Sequence, residues 1–384
     1  MHNRKKSKIK VLTLINSFEL GGIEKTFLGC VPYLQQSNVD VEVCCFDRRG
    51  ILLEDFERHN VTIHQIKKTR SIFFDFLQLV MVLARVRPDI VHSRFGFTSG
   101  GFCLGSWFMG IPSIVSLHST GASVSKRLQT IPVINRLIKL QLKVHSLLTR
   151  IFSNIIMGHS KANLNANYDN WKYNHKFKLV YNGIDLETKV ESNLPDLRQG
   201  ANMCILHIGS FRAAKNHEFL LKSFMDLNPV QNNYRLILVG DGALRPQILS
   251  MVKENDLSEY VIMPGLDTDL VKYFAAADLF YFPSTYEGFA NVLVEAQFKG
   301  LPVCGSDIAA LYESVYPAYH HFFFDPDNKE QAVASLINMI KNIRKEQFNQ
   351  EIKEARKFAE ENFGIEQMAN KLALVYYALK PIYH

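Results

Sequence analysis

Between Ile90 and Tyr168 the chain contains no Asp and no Glu. Arg94, Lys126, Arg127, Arg136, Lys139, Lys143, Arg150 and Lys161 fall in that same stretch, and the net charge over 384 residues is +7. Such asymmetry points to an anionic partner for one part of the molecule: a phosphorylated ligand, a membrane surface or nucleic acid. A plainly solvated basic face is the other reading. Cysteine is also scarce. The six (Cys30, Cys44, Cys45, Cys103, Cys204, Cys304) lie in apolar contexts without CxxC or CxxxH spacing. That excludes a disulfide frame and a zinc site and predicts buried thiols in a reducing compartment. No unbroken run of the ~20 apolar residues a membrane span needs is present. The uncharged stretch from Phe95 to Ser125, apart from His118, is interrupted at "MGIPS" and reads as a buried helix followed by a buried strand. The start, "MHNRKKSKIKVLTLINSF", has a short apolar run and no small-residue cleavage site, so a first strand and a cytoplasmic protein are expected.

What is present has a clear rhythm. Short β-branched runs alternate with amphipathic ones: strands are expected at 9–16, 41–46, 61–66, 89–94, 112–118 and 154–160, then at 203–209, 234–240, 260–265, 278–284 and 301–306. Helical patterns such as 23–36 and 72–86 lie between them. This alternation predicts parallel sheets covered by helices, an α/β class. The length exceeds the ~250–300 residues at which one core stops growing. Two doubly wound domains are therefore expected, with the polar stretch 185–202 as linker. Residues 1–184 form the first domain and 185–365 the second, while 366–384 is a terminal helix returning to the first.

Glycine loops follow several strands. Gly21-Gly22 comes after the first, directly before a helix start, where free backbone N–H groups can meet an anion. In "HIGSFRAAKNHEF", Gly209 ends a strand, and Arg212 and Lys215 precede a helix beginning near Asn216. Two cations beside a positive helix end make sense if a diphosphate lies there; otherwise they are solvated loop side chains. "LVGDGALRP" and the Gly265 loop also follow strands, so all belong to the carboxyl edge of one parallel sheet, where ligands bind in open α/β folds.

The segment "STYEGFANVLVE" (284–295) holds two carboxylates, Glu287 before a helix that starts at Phe289 or Ala290 and Glu295 within it. Eight residues rise about 12 Å at most. Two acceptors so spaced could grip both ends of an elongated polyhydroxylated ligand, with the amides of Phe289, Ala290 and Asn291 at its anionic middle. A nucleotide sugar has that form. The simpler alternative is a helix-dipole Glu plus a surface Glu.

"PSTYEGFANVLVEAQFKGLPVCGSD" resembles the E-x7-E signature of the retaining glycosyltransferases of family 4, which have the GT-B fold of two Rossmann-like domains facing across a cleft. "NSFELGGIEK", "VYNGID", "IGSFRAAKNH" and "LVGDGALR" are similar to other elements of that family and stand in its order. The resemblance implies that Glu287 contacts the donor sugar, that the backbone of Gly288, Phe289, Ala290, Asn291 and Val292 holds sugar and phosphate, and that Glu295 holds the ribose. Lys215 matches the phosphate-binding lysine, and Gly265 falls in the loop meeting the nucleobase. Many members carry Arg directly after the glycine; this chain has Ser210, with Arg212 two positions later to supply that charge. His118, closing its strand, resembles the histidine at the cleft wall, although a lone histidine there is otherwise read as structural. The implied reaction is retaining transfer, of a hexose for preference, from a UDP- or GDP-sugar to a saccharide or lipid-linked acceptor. It would serve capsular polysaccharide, exopolysaccharide, lipopolysaccharide or glycolipid assembly, with no metal, no other cofactor and no nucleic acid. "DPD" (325–327) is a D-x-D match but is read as a helix cap. A nucleotide-sugar 2-epimerase of the same shape, or a non-catalytic basic module binding membrane or nucleic acid, are the alternatives.

The basic surface has its own pattern over 126–150. In "PVINRLIKLQLKVHSLLTR", Val133, Leu137, Leu140, Val144 and Leu147 share one helical stripe and Arg136, Lys139, Lys143 and Arg150 an adjoining one. The stripe alone fits a core-facing helix with a solvated flank. The missing acids turn the reading toward an anionic membrane surface and a peripheral enzyme.

Overall fold

The computed structural model describes residues 8–19, 21–69, 71–118, 132–168, 170–185 and 195–380, with the side chains of the helix at 132–152 described at 136 and from 138 onward. Lys126 and Arg127, the side chains of Val133 and Leu137, and half of the expected linker lie outside what is described. The fold divides into two compact units, Met1–Asp185 with Ile365–His384, and Leu186–Gly364.

The first unit runs β1 (Ile9–Ile15), α1 (Gly22–Gln36), β2 (Val39–Cys45), α2 (Leu53–Arg58), β3 (Thr62–Gln65), α3 (Ile72–Val86), β4 (Ile90–Ser93), α4 (Gly100–Phe108), β5 (Ser113–Leu117), α5 (Pro132–Phe152), β6 (Ile155–Gly158), α6 (Lys161–Asn167) and β7 (Phe177–Leu179). Its sheet has the order β3-β2-β1-β4-β5-β6-β7, parallel throughout. β1 lies in the interior, third from one edge, paired from Ile9↔Val39 to Ile15↔Cys45 on one side and from Val11↔Ile90 to Leu14↔Ser93 on the other. A strand with partners on both edges and helices on both faces must be apolar almost throughout, as β1 is. The three-residue β7 was invisible in the sequence pattern.

The second unit continues with α7 (His217–Met225), α8 (Pro229–Asn232), α9 (Arg245–Glu254), α10 (Val271–Ala276), α11 (Asn291–Phe298), α12 (Leu311–Ser314), α13 (Lys329–Ile343) and α14 (Phe348–Phe363) around strands β8 (Met203–Ile208), β9 (Tyr234–Val239), β10 (Val261–Gly265), β11 (Leu279–Phe282) and β12 (Val303–Gly305). This sheet has the order β10-β9-β8-β11-β12, again parallel. A final helix, α15 (Ile365–Leu379), belongs to the first unit. There Met368, Leu372 and Tyr376 join the core built by Phe27, Val31 and Leu34 of α1.

Three expectations need correction. The E-x7-E helix starts at Asn291, with Ala290 as its cap residue, rather than at Phe289 or Ala290. The cap before α13 is Asn328 and not the Asp-Pro-Asp turn: Asn328 Oδ1 accepts from Gln331 N at 3.0 Å, and Gln331 Oε1 accepts from Asp325 N at 2.9 Å. The apolar stripe of α5 does not face the core. Leu140, Val144, Leu147 and Ile151 are exposed, while His145 and Thr149 are buried. The cause is α4, whose Gly100 backs so closely onto α5 that a Cβ there would stand 2.6 Å from His145 O.

All six cysteines are free and buried. Burial pushes the thiols of Cys30, Cys44, Cys103 and Cys204 up to about 12. Among the described residues, no helix is long and apolar enough to cross a membrane.

Two glycines are dictated by the second sheet's edge. Gly240 has φ +138° and faces Gly209 O so closely that any Cβ would collide with it, and Gly242 (φ +154°) lies equally close to the backbone of Phe211. Gly240→Ala is expected to cost about 2 kcal/mol or more, from the strained φ and the displaced loop. Urea unfolding followed by far-UV circular dichroism checks this; an unchanged midpoint would contradict the packing described.

Candidate active site

The loops after β8 and β11 meet because those strands are neighbours in the sheet. Thr285 N, after β11, donates to Ala214 O, after β8, at 2.9 Å, so the two loops are tied through backbone. Lys215 and Glu287 face one another across this tie. Lys215 Nζ donates to Glu287 Oε1 at 2.6 Å, with the two side chains 12% and 13% exposed. The ammonium also lies 4.6 Å from the centre of the Phe282 ring, which shields it from below. The sequence proposed these residues separately; the structure makes them a pair.

Arg212 is exposed, and its Nε donates to Ser210 Oγ at 2.7 Å. Its guanidinium thus leans back toward Ser210. Gly288, Phe289, Asn291, Val292 and Glu295 are half-buried, and Ala290 is buried. The Phe289 ring packs on Phe363 at 5.4 Å, which anchors the turn before α11. Gly265 O accepts from Gly240 N at 2.8 Å, joining that loop to the same edge.

Sequence reasoning missed the layer beneath. His207 Nδ1 donates to Tyr281 O at 2.9 Å, and its ring lies 4.9 Å from that of His217, which stacks on Phe211 at 4.0 Å. Burial, then the charge of Lys215, pushes His217 down to about 4. These neutral rings fill the space under the Gly209 loop, where a Cβ on Gly209 would meet His207 Nε2 at 3.0 Å.

The first unit gathers a second group at its own carboxyl edge. His118 stacks on His159 at 4.4 Å with 19° between ring planes. His159 Nδ1 donates to Val180 O at 2.8 Å, and burial followed by the Arg94 charge pushes it down to about 3. His118 is likewise held well below the usual imidazole range, by burial and then by His159, Arg94 and His92. His92 lies between Tyr376 OH and Ser116 Oγ, each at 2.7 Å. Gly21 carries no side-chain cap for α1, and Gly22 is already helical. Nearby, a cavity of about 690 Å³ opens beyond β1, β2 and β3, lined by Asn16, Phe46, Arg48, Arg49, Gln65 and Lys68, among others. Its polar wall is ordered: Lys68 Nζ donates to Asn16 Oδ1 at 2.9 Å, and Phe46 stacks on Phe95 at 4.9 Å.

With this geometry in view, family profiles match both units. Glycosyl transferases group 1 matches residues 196–358, and Glycosyltransferase Family 4 matches residues 20–188. The chain belongs to glycosyltransferase family 4. It is 33% identical over 38% of its length to the Campylobacter jejuni N-acetylgalactosamine-N,N'-diacetylbacillosaminyl-diphospho-undecaprenol 4-alpha-N-acetylgalactosaminyltransferase, and the match spans 39% of that protein. Over 78% of this chain and 82% of the other, it is 26% identical to the capsular polysaccharide biosynthesis glycosyltransferase CapH of Staphylococcus aureus. The structure of Anabaena HepE in complex with UDP superposes with a TM-score of 0.77 at 19% identity, covering 96% of this chain and all of that one, which shows the fold. This is a transferase with GT-B architecture, of the kind that serves polysaccharide and glycoconjugate biosynthesis.

The buried imidazoles give this glycosyltransferase a definite acid sensitivity. The unfolded chain protonates His159 near the ordinary 6.5, whereas the fold refuses the proton until about pH 3. Stability from this group is therefore complete above pH 6.5 and falls as pH drops toward 3, by up to ~1.4 kcal/mol per pH unit. His159→Gln is expected to flatten that slope between pH 6 and 4. Both tryptophans, Trp107 and Trp171, belong to the first unit, so urea midpoints read by their fluorescence report on it. A slope equal to wild type would overturn the assignment.

Proposed function

We propose that the enzyme transfers a hexose, with retention, from a nucleoside-diphosphate sugar to a saccharide or lipid-linked acceptor. The observation that carries this reading is the Lys215–Glu287 pair at the E-x7-E helix. In transfer, the bond between sugar carbon and phosphate oxygen breaks, and negative charge grows on the leaving diphosphate. Lys215, Arg212 and the amides before α11 would take up that charge, the largest single contribution to expect in such a site. Glu287 would then turn from the lysine to the sugar hydroxyls, and Glu295 to the ribose. A front-face route suits retention, since the residues named include no separate nucleophile. No metal enters this scheme, and the donor would be a UDP- or GDP-sugar. UDP and UDP-glucose occur in the HepE complexes.

The first unit would take the acceptor, with the 690 Å³ cavity and its Phe46 wall as a saccharide-sized recess and His118 as a further contact. Relatives named for acceptors include one for a diphospho-undecaprenol saccharide and one for L-malate. Lys215→Ala and Glu287→Ala are each expected to lower transfer about 100-fold or more while the protein stays folded. Nucleotide release from a panel of UDP- and GDP-sugars measures it, and near-normal rates in both variants would sink the reading. An epimerised nucleotide sugar as product would identify the epimerase instead.

We further propose that the enzyme works peripherally on the cytoplasmic face of an anionic membrane. The support is a face shared by three adjacent helices. Phe73 (61% exposed), Phe74, Leu77 and Met81 project from α3; Trp107 (60%) and Phe108 project from α4; Leu140, Val144, Leu147 and Ile151 project from α5. Contacts between Phe76 and Phe108 at 5.6 Å and between Trp107 and Phe152 at 5.0 Å join the helices. Arg136, Lys139, Lys143 and Arg150 are exposed beside it, and the one acid on the three helices, Asp75, is buried against Thr69. Aromatic residues flanked by lysine and arginine suit a headgroup boundary. Co-sedimentation should be several-fold greater with phosphatidylglycerol than with phosphatidylcholine vesicles, and Trp107→Ser with Phe108→Ser should reduce it. Binding indifferent to anionic lipid would contradict the proposal.

A further inference from the structure

Arg94 is a permanent cation that has neither a hydrogen bond from its guanidinium nor an ion pair among the described residues. It follows β4, and its amide donates to Leu14 O at 3.1 Å, which fixes it where β1 and β4 adjoin. That is the point where the strand order reverses direction, the place in an open parallel sheet where ligands bind. The residue is 5% exposed, yet Nε, Nη1 and Nη2 have no hydrogen-bond partner. Among the described residues no carboxylate lies within ion-pair distance of it. One face of the guanidinium rests on Phe27 of α1, 4.2 Å from the ring centre, which leaves the five N–H donors of its edge unused.

A guanidinium stays charged at any pH the fold survives, and a cation–π contact does not offset the burial of an unpaired charge. The surroundings add positive potential. The uncapped amino end of α1 begins at Gly22; its first-turn acid, Glu24, folds back toward Gly21, where a Cβ would collide with its Oε2, and its charge reaches Arg94 only from beyond ion-pair distance. Other buried polar atoms in the same sheet are also without partners: His118 Nε2, His159 Nε2 and Thr13 Oγ1.

We propose that Arg94 and the amino end of α1 form a receptor for one oxyanion of the acceptor, a carboxylate or phosphate group held in a two-bond fork. The inference rests on the reading of the first unit as the acceptor side. It adds that the acceptor is anionic, and it is distinct from the donor diphosphate assigned to Lys215 in the second unit.

The test needs no turnover, so it stands apart from the assay of transfer. The full chain, in a Lys215→Ala background that removes the donor phosphate contact, is titrated with orthophosphate, pyrophosphate and malonate, and thermal unfolding of the first unit is followed by tryptophan fluorescence. At least one anion should raise the midpoint, and the arm that does so distinguishes phosphate from carboxylate. Arg94→Met should raise the midpoint of the anion-free protein, because an unpaired buried charge is gone, and weaken the anion response at least tenfold. Arg94→Lys, which keeps the charge and loses the fork, should fold and respond more weakly than wild type. UDP binding should be the same in wild type and Arg94→Met. Absence of any response in the parent, or an Arg94→Met protein that is less stable and responds fully, overturns the proposal.

Discussion

The pair between Lys215 and Glu287 is the contact around which the second unit's carboxyl edge is arranged. The residues are 72 positions apart and meet only because β8 and β11 are neighbours at the reversal of strand order. At 12% and 13% exposure, the pair has given up much of its hydration. Mutual attraction in such a setting roughly offsets the desolvation rather than exceeding it. Its value therefore lies in arrangement more than in stability: a cation and an anion are held 2.6 Å apart at the sheet edge. Phe282 under the lysine and the Thr285–Ala214 backbone bond hold both loops in that arrangement.

The same logic operates in the first unit with a different balance. Its strand order also reverses beside β1, and the glycine loop and Arg94 occupy the two sides of that point as Gly209 and Glu287 do in the other sheet. Here the cation has no carboxylate beside it. The histidines that could have shared the charge are buried and neutral, bonded through His159 Nδ1 to Val180 O and through both His92 nitrogens to Tyr376 and Ser116.

Much of this was legible in the sequence, because parallel strands buried on both faces leave a strong apolar signature and their loops must contain glycine where backbones approach. Gly209, Lys215 and Glu287 could be placed that way. Partnership could not. Nothing in local pattern links residue 215 to 287, or His92, Arg94, His118 and His159 to one another, since sheet order decides those meetings. Periodicity also found the stripe on α5 without its direction. That depended on Gly100 of α4, whose missing side chain lets the polar His145 face be the one that is buried.

Charge at that edge also narrows what His118 can do. A second positive charge stacked at 4.4 Å from His159 and close to Arg94 is opposed by both burial and repulsion. The imidazole is consequently neutral throughout the physiological range and cannot serve as a stored proton for the leaving group. What it retains is one donor and one acceptor on a rigid ring, the equipment for holding a hydroxyl in a fixed direction. The permanent positive charge at this edge of the sheet is that of Arg94, and a neutral imidazole and a buried guanidinium can lie side by side there without opposing each other's charge.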